Sequence, residues 1–193
     1  LHYLDEIYQA IIKKMVLIIT YKSFKSREET KFHFHPFILK EFNNRWFLIG
    51  KKKASQPITN LALDRIISID YDFNLTYLEE DFDADIYYKD VIGVTVNSGL
   101  NARRIELWVD GSNAPYVLTK PLHTSQRLIK KNEDGSVIIH IYVIPNYEME
   151  RLLLGFGSCL EILRPESLRN RMKKTLQEAI LRYDSEKPTE INA

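Results

Sequence analysis

Hydrophobic and polar positions change their spacing several times along this chain, and each change marks an element. Over residues 1–14, Leu4, Ile7, Tyr8, Ile11 and Ile12 recur at three-to-four spacing, the stripe of an amphipathic helix. From Met15 the period falls to two. Ile18, Thr20 and Lys22 alternate with Ile19, Tyr21 and Ser23, as in a strand. The charged stretch 25–31 predicts a loop or hairpin tip. Lys31-Phe32-His33-Phe34-His35 then alternates strictly, which turns Phe32 and Phe34 inward and sets Lys31, His33 and His35 on the opposite face. Pro36 cannot donate a ladder hydrogen bond and marks an edge or a bulge. Asn43-Asn44 suits a tight hairpin turn, because Asn tolerates positive φ. In Arg45-Trp46-Phe47-Leu48-Ile49, Trp46 and Leu48 share one face and Phe47 and Ile49 the other. A Gln56-Pro57 break precedes LALDRIISID. Five short strands between residues 15 and 70 predict a small closed barrel rather than an open sheet.

Residues 72–90 hold no clean period and much acid, including Glu79-Glu80-Asp81 and Asp83, and read as an acidic linker with room for a short helical turn. VIGVTVNSG is compatible with a short helix or a strand. In RRIELWVD, Ile105, Leu107 and Val109 alternate with Arg104, Glu106, Trp108 and Asp110, a strand. Ser112 is placed to cap a short helix over NAPYVLTKP, ended by Pro121. SQRLIKK and SVIIHIYVIP flank 132–135, a hairpin with Asp134-Gly135 at its turn. Met149, Leu152, Leu153 and Phe156 are helically spaced, and Gly155 and Gly157 stop that helix. CLEIL is a strand. Pro165 opens a last helix whose expected buried stripe is Leu168, Met172, Leu176, Ala179 and Tyr183. Strand, helix, hairpin, helix, strand is the order of a ferredoxin-like α+β sandwich. The predicted fold class is therefore mainly β plus α+β: an SH3-like (Sm-like) small barrel, then a ferredoxin-like domain. The predicted boundaries are the end of a linker helix at 1–14, the barrel at 15–71, the acidic linker at 72–89, the α+β domain at 90–183 and a disordered tail at 184–193.

Composition narrows the function classes. With 45% hydrophobic and 27% charged residues over 193 positions, the chain has an ordinary globular balance and can bury substantial cores. Cys159 is the single cysteine, so neither an intrachain disulfide nor a cysteine-based zinc site can form, and a reducing cytoplasm fits. The apolar runs are too short to span a bilayer, and the acidic LHYLDEIYQAII does not resemble a signal peptide. Because it starts at Leu1 rather than Met, the sequence reads as a fragment with an upstream part removed. The net charge of +1 conceals an asymmetry. Residues 11–65 hold twelve Lys/Arg against four Asp/Glu, net +8, whereas residues 66–90 hold one Lys against eight Asp/Glu, net −7. That contrast suggests either a basic face for an anionic partner or two solvated surfaces that pair with each other.

The order of elements in the first half resembles the WYL domain, named for a Trp-Tyr-Leu triplet that here reads Trp46-Phe47-Leu48. The resemblance rests on the strand ending at Tyr21, the His35-Pro36 strand, that triplet, and Leu63-Asp64-Arg65-Ile66 closing the barrel. The family usually has Tyr where Phe47 stands and Arg where Ala62 stands. The first change removes a hydroxyl that could bond a ligand, and the second a guanidinium that could clamp a phosphate. The second half resembles the C-terminal extension that often follows this domain, through His123-Thr124-Ser125-Gln126, Gly135-Ser136-Val137, Gly155-Phe156-Gly157 and LEILRPESLRNRM. The resemblance implies a small barrel that senses ligands, often nucleic acid, in bacterial transcription regulators. It also implies a DNA-binding winged helix-turn-helix upstream of these residues, so duplex DNA would be contacted only through a part this sequence does not contain.

Tyr21, Lys22, Lys25, His33, His35, Arg45, Lys51 and Arg65 are the candidates for one anion-binding surface. Arg holds a phosphate through two parallel bonds, Lys adds point charge, and Tyr or His can stack on a base. The competing reading is a solvated strand edge whose basic side chains discourage aggregation. Arg65 matches the family's closing motif, but it could instead anchor the barrel by pairing with Asp64 or a backbone carbonyl. Trp46 reads as a core residue. His33 and His35 lie two residues apart with no third ligand nearby, so no metal is expected. No nucleophile elbow, P-loop or dinucleotide fingerprint is present, so neither an enzyme nor a cofactor is expected. Cys159 reads as packed, and Lys51-Lys52-Lys53 as a solvated hairpin tip. Arg169, Arg171, Lys173 and Lys174 form either a basic contact face or a plain exposed one. The sequence thus reads as the ligand-sensing and homodimerising portion of a cytoplasmic WYL-type regulator, with a single-stranded nucleic acid or nucleotide effector and no membrane partner. The alternative is a structural dimerisation module with no small ligand.

Overall fold

The computed structural model describes residues 2–185. Most of the expected tail, 186–193, lies outside them. The chain divides into two compact units, one holding the residues up to Lys89 with Gly93–Thr95, the other Asp90–Ile92 and the residues from Val96 onward. They form a barrel-like β unit and an α+β unit, the fold class that the patterning predicts.

The first unit runs α1 (Leu4–Ile12), β1 (Val16–Tyr21), β2 (Thr30–Phe42), β3 (Arg45–Lys51), β4 (Thr59–Ala62), a 3₁₀ turn (Leu63–Arg65), β5 (Ile66–Asp72) and α2 (Ala84–Tyr88). Its five strands are ordered β4-β3-β2-β1-β5, and every neighbouring pair is antiparallel. Alternation decides which side chains enter the core. Leu17, Ile19, Phe34, Leu48 and Leu61 are buried on the inner face, where each large aliphatic or aromatic side chain stabilises by roughly 1.5–3 kcal/mol. Ile7 and Ala10 of α1 belong to the same core, so this helix is part of the unit as well as its entrance. Asn43 and Asn44 both have positive φ, 50° and 59°, the geometry of a two-residue hairpin turn. The β2–β3 register slips between Pro36 and Ile38, the bulge that Pro36 announces. Beside it, Gly50 lies directly opposite Pro36 and close beneath the His35 carbonyl.

The second unit runs β6 (Arg103–Val109), α3 (Ala114–Thr119), β7 (Arg127–Lys131), β8 (Val137–Val143), α4 (Tyr147–Leu154), a 3₁₀ turn (Gly157–Cys159), β9 (Leu160–Arg164) and α5 (Glu166–Asp184). The antiparallel order β7-β8-β6-β9 is the split βαβ arrangement of the ferredoxin-like sandwich. Ile105, Leu107 and Val109 meet Ile139, Ile141, Met149 and Leu153 in its core.

Three local expectations change. VIGVTVNSG forms neither helix nor strand. Val91 and Ile92 are buried, and the backbone is held by Ile144 N–H donating to the Asp90 carbonyl (2.7 Å) and Asn146 Nδ2 donating to the Ile92 carbonyl (2.9 Å). Ser112 does not cap α3, whose N-cap is Asn113 with no side-chain cap: just ahead of the helix, the Asp110 carboxylate accepts from Asn113 N–H (2.8 Å) and from the Ser112 hydroxyl (3.0 Å). Asn113 and the neighbouring donors hold Asp110 below the usual carboxylate range. Finally, only the first half of the α5 stripe is buried. Leu168 and Met172 are in the core, whereas Leu176 and Ala179 are exposed and Tyr183 is 85% exposed. Among the described residues, no helix is long and apolar enough to cross a membrane.

Candidate anion-binding site

The predicted site residues fall into two patches on the barrel unit. The first gathers where β1 ends and β5 begins. Tyr21 is half-buried, and its hydroxyl accepts from the Ala62 backbone N–H (3.3 Å). Lys22 N–H donates to the Arg65 carbonyl (3.1 Å) while its side chain stays exposed. The 3₁₀ turn sets Asp64 between two guanidiniums, with Arg45 Nε at 3.1 Å and Arg65 Nε at 3.9 Å. The second distance is too long for a hydrogen bond, and Arg65 Nε is buried with no hydrogen-bond partner. The Arg65 guanidinium instead lies 4.4 Å from the centre of the exposed Phe24 ring. Lys25 sits in the exposed loop between β1 and β2. Phe47 and Ala62, the two departures from the family pattern, face each other across β3 and β4.

The second patch lies between β2 and the loop that follows β3. Lys31, Phe32, His33, Lys52, Lys53 and Gln56 line an open pocket of about 600 Å³, joined by His35 and Leu75. Lys52 Nζ is 3.7 Å from the centre of the Phe32 ring. His33 Nε2 is 2.9 Å from an Asp72 oxygen. Asp72 itself is held below the ordinary carboxylate range, chiefly by the Asn74 N–H, which donates to it at 2.8 Å.

His35 and Lys51 differ from expectation. They face each other across β2 and β3, but neither presents an open cation. His35 is 6% exposed, and its Nδ1 accepts from the Leu78 N–H at 3.0 Å. Lys51 is paired with Glu80 at 2.5 Å, and its side chain is only 15% exposed. The cause is the acidic stretch after β5, which lies along the barrel unit. The Tyr77 hydroxyl donates to the Pro36 carbonyl (2.6 Å), Phe82 stacks on Phe37 (5.3 Å between centroids), and Lys40 Nζ sits 4.6 Å from the Tyr88 ring centre. Burial, together with the nearby Glu79 carboxylate, pushes the Tyr77 hydroxyl up to about 12, so it remains a donor at any ordinary pH.

Sequence reasoning missed Phe32, Lys52, Lys53 and Gln56 as pocket residues. Strict alternation assigns Phe32 to the core, and it does pack there, but one side of its ring remains available to Lys52. The signal for the covering segment was present in the net −7 that follows net +8. Three of the four basic residues singled out on α5 are engaged within their own unit. Arg169 pairs with Glu161 and donates to the Ile162 carbonyl (2.7 Å), Arg171 pairs with Glu150 (2.5 Å), and Lys174 lies 3.9 Å from Glu178. Cys159 is half-buried, and a hydrogen bond to the Asp110 carboxylate raises its thiol pKa. Among the described residues, no group of three or more His, Cys, Asp or Glu could hold a metal ion.

No curated protein matches the sequence. Among solved structures, the chain is similar to proteasome accessory factor B/C (PafBC) of Arthrobacter aurescens, at 19% identity and a TM-score of 0.38, with 94% of this chain and 27% of that one covered. It is also similar to a CRISPR Cas-related protein, at 13% identity and a TM-score of 0.52, with 93% of this chain and 50% of that one covered. The chain thus spans half or less of the length of these solved relatives. Family comparison matches residues 2–70 to the WYL domain and residues 101–180 to the WCX domain. This chain carries a WYL domain followed by a WCX domain.

Proposed function

We propose that this chain is the effector-sensing portion of a WYL-type transcription regulator, acting by binding rather than catalysis, and that its effector is a single-stranded nucleic acid or a nucleotide. The observation that supports this most is the pocket of about 600 Å³ between β2 and the loop after β3. It combines an aromatic ring, Phe32, with Lys31, Lys52, Lys53 and His33 around it, the pairing of stacking surface and positive charge that sugar–phosphate strands require. Arg65, whose guanidinium lies beside the exposed Phe24 ring, offers a second contact for a strand long enough to reach both patches. Bound effector would favour one conformation of the regulator over another and so bias a DNA-binding part outside this sequence.

The test is fluorescence anisotropy with a labelled oligodeoxythymidine strand. Affinity should fall steeply with salt, because phosphate contacts release counterions. Lys52→Ala, Lys53→Ala and Arg65→Ala should each weaken binding by about 1–3 kcal/mol if they make charge-assisted bonds. Equal affinities across the folded variants, or no binding at low salt, would overturn this reading.

A second reading, self-association into a homodimer, is supported by the distal half of α5. Leu176, Ile180 and Tyr183 continue the buried stripe but are 44%, 58% and 85% exposed. Apolar side chains spaced along one helical face gain from packing against a second copy. Sedimentation analysis of wild type and Ile180→Glu tests it: the wild type should sediment as a dimer and the variant as a monomer.

A further inference from the structure

The acidic segment after β5 is docked where the barrel's cations lie. Two of its carboxylates answer two lysines, Glu79 with Lys14 (2.6 Å) and Glu80 with Lys51 (2.5 Å), while Asp72, at the end of β5 itself, lies 2.9 Å from His33 Nε2. Of the Glu80–Lys51 pair, the Lys51 side chain is largely withdrawn from solvent and that of Glu80 is about one-third exposed. From residue 75 to 83 the backbone is neither helix nor strand, so no sheet ladder fastens it. Its anchors are the Tyr77 hydroxyl on the Pro36 carbonyl, the Leu78 N–H on His35 Nδ1, and the Phe82 ring on Phe37. Leu75, at its start, forms part of the wall of the basic pocket.

An extended segment that presents carboxylates to lysines and aromatic rings to aromatic rings offers the barrel the same chemistry as a single strand, which presents phosphates and bases. Exchange of one set of ion pairs for another is nearly balanced, because the cation keeps a counter-charge throughout. A segment fastened by side chains rather than by a ladder can open without unfolding the sheet beneath it.

We propose that residues 75–82 are an internal competitor, a strap that occupies the Lys51–His35 end of the cationic face and must leave it before a polyanion longer than the open pocket can bind. This rests on the anion-binding reading above and adds regulation to it. The wild-type affinity is then the intrinsic affinity reduced by the fraction of molecules with the strap open.

The experiment uses the whole chain and the labelled oligodeoxythymidine strand, with four proteins: wild type, Glu79→Gln/Glu80→Gln, Glu28→Gln/Glu29→Gln and Lys52→Ala/Lys53→Ala. Glu28 and Glu29 are exposed in the β1–β2 loop, so their double variant makes the same change in net charge without touching the strap. Loss of the strap carboxylates should tighten binding by about tenfold, well beyond the loop control, since it raises the open fraction. Amide exchange at Leu78 should accelerate when the strand binds wild type, because its partner on His35 is lost. Binding by the strap variant with none by wild type would support the proposal most strongly. Equal tightening in the strap and loop variants, or unchanged Leu78 exchange on binding, would overturn the strap while leaving the anion site intact, provided Lys52→Ala/Lys53→Ala still weakens binding. No binding by any of the four at low salt would overturn both.

Discussion

The two cationic patches of the barrel unit differ in where their counter-charge comes from. At the Arg45–Arg65 patch it is Asp64, the residue next to Arg65 in the chain, fixed by the 3₁₀ turn of Leu63–Arg65. At the Lys51–His35 patch the answering groups come from residues 72–80, far along the sequence and outside any ladder beyond Asp72. The first arrangement is local and persists whenever the turn is folded. The second depends on a segment whose docking has its own free energy, and is therefore the one that can be switched.

The largest expected effect tests the ground beneath the covered patch. A Cβ on Gly50 would meet the His35 carbonyl oxygen and lie 2.7 Å from Phe34 Cε1, so the strands must separate to admit it. Gly50→Ala should cost about 1–3 kcal/mol of overpacking strain, read as a lowered urea midpoint. Next in size is Tyr77→Phe, which deletes one strap anchor and leaves the Pro36 carbonyl without that donor. Its cost, about 1 kcal/mol, should appear as several-fold faster Leu78 exchange with an almost unchanged global midpoint. A global midpoint that falls by the full amount would mean that strap and barrel unfold as one.

The third test is pH. Burial, aided by the charge of His33, holds His35 below the ordinary 6.5 of imidazole. A His whose folded pKa is depressed contributes stability above its unfolded pKa and loses it as pH falls through the folded value. Protonation also removes the Nδ1 acceptor that holds the Leu78 N–H. The surrounding groups push the same way: Lys51 faces His35 across the ladder and His33 lies on its own strand, while Glu80 is already engaged with Lys51. Strap opening, followed by Leu78 exchange corrected for its intrinsic pH dependence, should therefore rise as pH drops below 6.5, and His35→Gln should flatten that rise.

Much of the fold was legible because period and burial coincide. The alternation at Ile105, Leu107 and Val109 marks a strand buried on one face, and in the barrel unit Asn43-Asn44 marks the β2–β3 turn through tolerance of positive φ. The α5 stripe was legible only as a possibility. Helical spacing says which side chains share a face, not how far the partner surface extends, and here it covers Leu168 and Met172 but not Tyr183. The strap was not legible as structure, because an irregular segment has no period and its anchors are side chains more than forty residues away in sequence. For the same reason the exposed-face reading of His35 failed: alternation gives the direction of a side chain and cannot say what lies on top of it.

The smallest effect gives the sharpest contrast between the patches. Asp64 is about two-fifths exposed, and so is Arg45, its nearer partner. An exposed pair is screened by salt and contributes about 0–1 kcal/mol, so Asp64→Asn should barely move the urea midpoint. Whatever shift it produces should vanish at high salt, where the Debye length falls to about 3 Å. Glu80→Gln behaves differently. Lys51 is 15% exposed, so removal of its partner leaves a cation that water reaches poorly and added salt screens poorly. The expected outcome is a loss of strap protection at Leu78 that persists at high salt, beside an Asp64→Asn effect that does not. Equal salt sensitivity in the two variants would mean that Lys51 is as well solvated as Arg45, and the distinction between a local and a delivered counter-charge would lose its energetic content.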